Sequence, residues 1–444
     1  MVGLARSGEA AAMVLSARGE EVIGVDAGAG DRQDLAAAAG RLRAAGVEVH
    51  LDASGEALAA RAGTLIKSPG VPSWAPLVRA ARARGIPVIG ELELAWRLLP
   101  NEFVAVTGTN GKTTTTEWIG HIHRTAGAPV AVAGNVGTAL STLVGGLAPQ
   151  ATVVCEASSF QLEDADEFAP EVAVLLNLTP DHLDRHGSFE DYAQAKRRIF
   201  ARQTAGDVAI LPDDLALEPS GDAKQLRFGE RADAALRLQA GELSWRGEPL
   251  LPASAIKLPG AHNVQNAMAA AAACLARELP AAAVAEGLRT FAGVRHRLEQ
   301  VAVRGGVSYV NDSKATNVDS TLVAIRSFPR GIHLILGGKG KSQDFTRLGP
   351  LVAERCAAVY LIGEDADVIA GALAGAVGGG REGSIPLIAA GYLERAVATA
   401  GARAADGDVV LLSPACASFD QYRDYEARGE HFRVLALRLA DGSD

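Results

Sequence analysis

Residues 103–114 restrict the fold more than any other stretch. Four apolar residues, Phe103, Val104, Ala105 and Val106, run into T-G-T-N-G-K-T-T at 107–114, and a helical pattern follows. Strand, glycine turn and helix in that order form half of a βαβ unit, whose next strand returns parallel to the first. Strand-like and helix-like segments alternate through almost the whole chain, so the expected class is α/β, with parallel sheets covered by helices.

The same stretch suggests a ligand. Backbone N–H groups at such a turn converge on phosphate oxygens, helped by the helix N-terminus. Gly108 and Gly111 let the main chain approach closely. Thr109 and Asn110 complete the loop, and Thr114 follows it. Lys112 offers a point charge to the β- and γ-phosphates and Thr113 a hydroxyl to Mg²⁺. The pattern departs from G-x-x-x-x-G-K-[ST], because Val106 stands six residues before Lys112. The alternative is an ordinary glycine-rich turn.

At 444 residues, the length suggests about three domains. The expected blocks are 1–99, 100–293 and 294–444, with Pro100 and Asn101 as a linker. Strands are expected at 46–51 and 64–67, at 103–106, 152–155 and 172–176, and at 308–310, 333–336, 358–361 and 409–412. An apolar run at 10–17 has the look of a signal segment. It is rejected because a strand-like run at 21–26 follows at βαβ distance.

The net charge of −9 argues against nucleic acid or an anionic membrane surface as partner. No apolar run is long enough to span a membrane. The four cysteines form no C-x-x-C pair, so neither a disulfide framework nor a zinc site is expected, and a reducing, cytoplasmic setting fits.

The opening turn, G-L-A-R-S-G at 3–8, with Asp26 beyond it, is a weak dinucleotide fingerprint. Ala5 stands where the template has its second glycine, and only Met1 and Val2 precede Gly3. An upstream start and a shortened chain are the two readings of that edge. An NAD oxidoreductase is one alternative for the whole protein, and a nucleotide-binding regulator that has lost its chemistry is another.

Glu156 closes an apolar strand, where ligands gather in α/β sheets. A carboxylate there can complete a Mg²⁺ site with Thr113 and phosphate oxygens; the plainer reading is an exposed acid. His182, after the next strand, is a metal ligand or a structural loop histidine. Lys196, in Y-A-Q-A-K-R-R, reads most simply as part of a solvated basic face.

Taken together, these segments resemble the Mur ligases. G-T-N-G-K-T-T, E-A-S-S-F-Q-L-E, N-L-T-P-D-H-L-D-R-H and Y-A-Q-A-K are followed by G-A-H-N-V-Q-N and G-V-R-H-R-L-E. N-D-S-K-A-T-N, L-G-G-K-G-K-S-Q-D-F and S-P-A-C-A-S-F-D-Q-Y complete the set. The resemblance covers the chain end to end and is strongest to the D-glutamate-adding branch. It implies a Rossmann-like N-terminal domain, a central P-loop ATPase domain with a parallel sheet, and a Rossmann-like C-terminal domain. It also implies a cytoplasmic, monomeric enzyme that uses ATP and two Mg²⁺ ions. Its substrates would be UDP-linked muramoyl-alanine and D-glutamate, joined through an acyl phosphate during peptidoglycan precursor synthesis.

Residue by residue, the resemblance assigns Lys112 and Thr113 to the ATP phosphates and Mg²⁺, and Glu156 and His182 to the metals. Lys196 would be carbamylated, turning a cation into a carboxylate-like ligand. Asn135 and Ser158 match positions around muramoyl-alanine, and Ser7 and Asp26 would lie near UDP. Asn266, Arg297 and Asp312 match the nucleotide side. Lys314, Thr316, Lys341, Ser418 and Phe419 match the D-glutamate pocket. No D-N-P-R sequence occurs in the third block, which favours an acidic acceptor over a diamino acid. The nearest alternative is another amide ligase of the superfamily, with a different acceptor or with folylpolyglutamate synthase activity.

Overall fold

A computed structural model describes residues 1–28, 33–135, 137–258, 260–340, 343–377 and 384–441. The chain divides into two compact units, Met1–Ala292 and Gly293–Asp444.

The first unit opens with four short strands: β1 (Ile23–Val25), β2 (Glu48–His50), β3 (Leu65–Lys67) and β4 (Val88–Gly90). β1 pairs with β2 and β3 with β4, all parallel. Val2 joins the pairs through parallel bridges to Val25 and to Lys67. One residue thus occupies the place of a central strand, and the spatial order is that of half a doubly wound sheet. Leu4, Ala11, Leu35 and Leu42 pack beneath it with Ile66 and Ile89.

A nine-stranded sheet dominates the rest of this unit. Its strands are β5 (Phe103–Thr107), β6 (Val130–Gly134), β7 (Thr152–Glu156), β8 (Val172–Leu175), β9 (Val208–Pro212), β10 (Lys224–Gly229), β11 (Leu236–Gln239), β12 (Glu242–Trp245) and β13 (Glu248–Pro252). Across the sheet they run β6, β7, β5, β8, β9, β10, β11, β12, β13. β5 is buried throughout, as a strand covered on both faces requires.

The expectation of a parallel sheet holds from β6 to β11. β12 and β13 depart from it and run antiparallel at the edge. Two-residue turns make this hairpin pair: Ala240 and Gly241 have φ of 51° and 82°, Arg246 and Gly247 of 50° and 90°. Positive φ at both central positions matches the twist of the flanking strands. The sequence carries A-G and R-G there rather than the stronger N-G or D-G signals, so these strands were not expected.

Two helices brace the loop end of this sheet. Lys112–Thr125 follows β5, and Ala261–Ala276 packs on it. The second helix is buried around its whole circumference: each residue from Ala267 to Ala273 is no more than 1% exposed. Alanine side chains let its axis come close.

The second unit holds a six-stranded sheet of β14 (Glu299–Arg304), β15 (Val307–Asn311), β16 (Ile332–Gly337), β17 (Cys356–Ile362), β18 (Leu387–Gly391) and β19 (Val409–Leu412). Its order is β14, β15, β19, β16, β17, β18; only the edge strand β14 is antiparallel. β14 and β18 were not expected. Both are edge strands, with polar or small residues that blur the apolar run.

Candidate active site

In the first unit, one end of the large sheet collects the functional side chains. β5 delivers the loop at Gly108, whose φ is 151°, and Gly111 caps the next helix at φ 85°. Gly111 is required twice over. Its backbone is left-handed, and a Cβ there would lie 2.2 Å from Asn266 Oδ1. The buried Asn266 therefore lies close against the loop.

Lys112 Nζ donates to the carbonyls of Gly108 and Thr109, each at 2.9 Å. Thr113 Oγ1 donates to Glu156 Oε2 at 2.7 Å, and Asn135 Nδ2 to Glu156 Oε1 at 3.0 Å. Glu156 is buried at the end of β7. Thr113, Glu156 and Asn135 are therefore one cluster. Thr114 lies half-buried on the first helical turn.

Lys196 is 1% exposed, and its Nζ donates to Gly108 O at 2.8 Å. Burial, then the nearby charge of Lys112, lower its pKa from 10.5 to about 6. The solvated-face reading of this lysine is thus wrong: Tyr192, Ala193, Ala195 and Lys196 form a buried stripe, while Arg198 faces out. His182 sits at the rim. It is half exposed, has φ of 50°, and its Nε2 lies 3.6 Å from Asp181 Oδ2.

Two residues bracing the loop were not singled out from the sequence. Asn177, just past β8, accepts from Asn110 N with its Oδ1 and donates to Asn110 O, at 2.8 and 3.1 Å. Its carbonyl accepts from Thr109 N. Tyr192 OH donates to Thr109 Oγ1 at 3.0 Å, and its ring lies 4.7 Å from Lys196 Nζ. The signal for Tyr192 was its spacing of four residues from Lys196, which puts both on one helical face.

A cleft of about 240 Å³ opens beside this cluster. Ser7, Ser68, Pro69, Asn135 and Gln161 are among its lining residues. Ser7 and Ser68 hydroxyls are 3.2 Å apart. Ser158 caps the short helix Ser159–Leu162 in a reciprocal box with Gln161. Asp26 is committed to the backbone: its carboxylate accepts from Leu4 N and Gly28 N at 2.7 and 2.8 Å, holding the opening turn.

In the second unit, the segment before β14 and the loops beyond β15, β16 and β19 carry the remaining residues. Asp312 accepts from Ser413 Oγ at 2.7 Å and from Leu298 N at 3.2 Å. Burial lifts its pKa from 3.8 to about 7. Arg297 lies between two residues in left-handed backbone, His296 and Leu298 at φ 61° and 45°. Lys314 N donates to His296 O, and Thr316 N to Lys314 O. Ser418 is buried and Phe419 exposed. Lys341 lies outside the described residues.

Arg428, which sequence reasoning passed over, ties these loops together. It is buried and donates to Ser313 Oγ, Ser313 O and Cys416 O, each at 3.0 Å. Burial lowers its pKa to about 10. Among the described residues, no helix is long and apolar enough to cross a membrane.

Residues 106–274 match the Mur ligase middle domain, and residues 296–416 match the domain described as Mur ligase, glutamate ligase domain. The chain is 46% identical to the UDP-N-acetylmuramoylalanine--D-glutamate ligase of Acidobacterium capsulatum, covering 98% of this chain and 95% of that protein. It is 41% identical to the enzyme of the same name from Pelotomaculum thermopropionicum, over 100% and 98% of the two chains. Among solved structures, the UDP-N-acetylmuramate-alanine ligase MurC of Thermotoga maritima superposes with a TM-score of 0.56 at 19% identity, covering 100% of this chain and 99% of that one. The MurF ligase of Thermotoga maritima in complex with ADP gives 0.53 at 17%, covering 87% and 97%. With full-length relatives at this identity and both domain matches in register with the loops described above, the chain belongs to the Mur ligase family.

Proposed function

We propose that this chain is an ATP-dependent ligase joining D-glutamate to UDP-N-acetylmuramoyl-L-alanine through an acyl phosphate, in the cytoplasmic synthesis of peptidoglycan precursors. The observation that carries the reading is the cluster of Thr113, Glu156 and Lys196 around the glycine loop, in a chain whose full-length relatives are named for that reaction. The proposed arrangement is three domains: 1–99 for the UDP moiety, 100–293 for ATP and 294–444 for the amino acid. The enzyme acts as a monomer without nucleic-acid partners.

A carboxylate is a poor electrophile until it carries a phosphoryl group. Phosphoryl transfer depends on positioning and on neutralising charge. The glycine loop presents its amides, and Lys112 swings from the Gly108 and Thr109 carbonyls to the terminal phosphates. The hard oxygen donors of Thr113 and Glu156 would hold Mg²⁺ beside the glycine loop. When bound, Mg²⁺ offsets the charge of the transferred group. His182 would serve a second ion. Lys196, buried and short of a proton at neutral pH, has the free amine that CO₂ captures as a carbamate. The product would take the lysine's place as an anionic ligand.

Ser7 and Asn135 serve the UDP-linked substrate from the cleft they line, Ser158 serves it from the neighbouring helix cap, and Asp26 serves it through the opening turn its carboxylate holds. Asn266, Arg297 and Asp312 serve the nucleotide. Lys314, Thr316, Lys341, Ser418 and Phe419 receive D-glutamate, the cations pairing with its carboxylates. The free amine then attacks the acyl phosphate, a tetrahedral adduct collapses, and phosphate leaves.

The test is ADP and phosphate release with Mg²⁺, ATP, UDP-muramoyl-alanine and a panel of amino acids. Release is expected only when D-glutamate accompanies the UDP substrate, with loss of at least about a hundredfold in Lys112→Ala. Equal release with another amino acid changes the acceptor. Release without any amino acid rejects ligation.

A further inference from the structure

Glu156 ends β7, and His182 lies on the segment that follows β8, yet β5 separates these strands in the sheet. Second-neighbour strands stand about 9–10 Å apart, and main-chain bonds such as Ala157 N to Val106 O and Thr109 N to Asn177 O carry the pairing only a residue or two past the strand ends. Beyond that, His186 ties the two extensions by hydrogen bonds, beside Phe160, whose ring meets both His182 and the Arg185 guanidinium. His186 is 1% exposed; its Nε2 lies 2.9 Å from Ser159 Oγ and its Nδ1 2.9 Å from Glu163 Oε1. The carboxylate can only accept, so Nδ1 donates to Glu163, and the neutral ring accepts the Ser159 hydroxyl at Nε2. Burial lowers the His186 pKa, which favours the neutral ring.

The ring also stacks on Phe160, with centroids 5.2 Å apart and planes 8° from parallel. Phe160 in turn meets the His182 ring at 5.0 Å. On the other extension, Arg185 N and His186 N both donate to His182 O at 3.0 Å, so His186 is one helical turn from His182. Hydroxyl, imidazole and carboxylate stand in the order of a hydrolase triad. Ser159 is 2% exposed, however, and has no access to a substrate carbonyl.

We propose that His186 is a positioning residue: through Ser159 and Glu163 it clamps the Ser159–Leu162 helix to the segment carrying His182, and so sets the spacing of Glu156 and His182. The inference rests on the ligase reading above. Outer-shell groups of this kind are worth about 10–100-fold in activity or metal affinity.

The experiment compares the parent protein with His186→Leu, His186→Gln, Ser159→Ala and the Ser159→Ala/His186→Leu double variant. In His186→Leu, kcat is expected to fall by about 10–100-fold and the half-saturating Mg²⁺ concentration to rise about tenfold. KM for the UDP substrate should stay within about twofold. His186→Gln keeps a donor and an acceptor and should recover most of kcat. The double variant should lose no more than His186→Leu alone, because both break one bridge. A His186→Leu variant with kcat and Mg²⁺ midpoint within about twofold of the parent overturns the proposal, as do additive losses in the double variant. Should His186→Leu fail to fold, Ser159→Ala carries the same comparison. If the parent itself shows no turnover, the ligase reading fails. The clamp is then judged by calorimetry of Mg²⁺–ATP binding, expected about tenfold weaker in the variants.

Discussion

Lys196 shows how far a single residue can stand from what its neighbours in sequence suggest. The run Y-A-Q-A-K-R-R reads as a basic helical face, but Lys196 is buried beside Gly108 O and Arg198 is outside. The family resemblance pointed to this lysine; its burial was not legible, because a lone cation gives no apolar period to follow. Burial has a measurable consequence. Between pH 6 and the ordinary value of 10.5 the unfolded chain holds a proton on Lys196 that the folded chain does not. Folding stability contributed by this site therefore rises with pH across that window. Lys196→Met should flatten the slope in denaturant titrations run in CO₂-free buffer at several pH values. An unchanged slope would mean that the folded lysine keeps its proton. Glu156 and Thr113 were legible as strand end and loop hydroxyl. Their direct hydrogen bond was not, since it depends on β5 and β7 lying side by side.

At the level of elements, most strands with uninterrupted apolar runs were expected, but the buried β9 was not. β5, β7 and β8 are fully or almost fully buried and were expected from their apolar runs. The hairpins of β11 to β13 and the edge strands β14 and β18 were not, because half of each faces away from a core. The strand, glycine turn and helix at 103–125 were legible, but the support of the turn was not. Asn177 makes two side-chain hydrogen bonds to the Asn110 main chain, and this pairing joins β8 to the loop across a gap of 67 residues. Asn177→Ala removes both. At about 0.5–1.5 kcal/mol each, the loss of loop order should weaken ATP binding by about 1–3 kcal/mol. Calorimetry with Mg²⁺–ATP measures this. Affinity for the UDP substrate should not move, and a parallel loss there would show that the loop braces the cleft as well.

On the scale of the first unit, buried charges connect residues 1–99 to the large sheet. Lys67 and Asp164 form an ion pair at 2.7 Å with both side chains almost wholly buried. Glu93 accepts from the amides of Asp166, Glu167 and Phe168, and Glu91 from Ser141 N and Oγ. None of these ties was visible in the sequence, where each acid or base looks like a surface charge and its partner lies far along the chain. Removing one partner of a buried pair leaves the other uncompensated. Asp164→Ala should destabilise this unit by about 3–5 kcal/mol, while Lys67→Met/Asp164→Leu should recover much of that. Denaturant unfolding followed by intrinsic fluorescence reads both, and a loss below about 1 kcal/mol in Asp164→Ala would place the pair among ordinary surface contacts. The alanine-lined helix Ala261–Ala276 has a different consequence. Its stature is set by methyl groups on every side, and its first turns hold Asn266 against Gly111. The stretch from Ala267 to Ala273 is buried throughout, so an extra carbon there overpacks the interior. It would act as a wedge, tilting Asn266 off the turn from a position that never touches the loop.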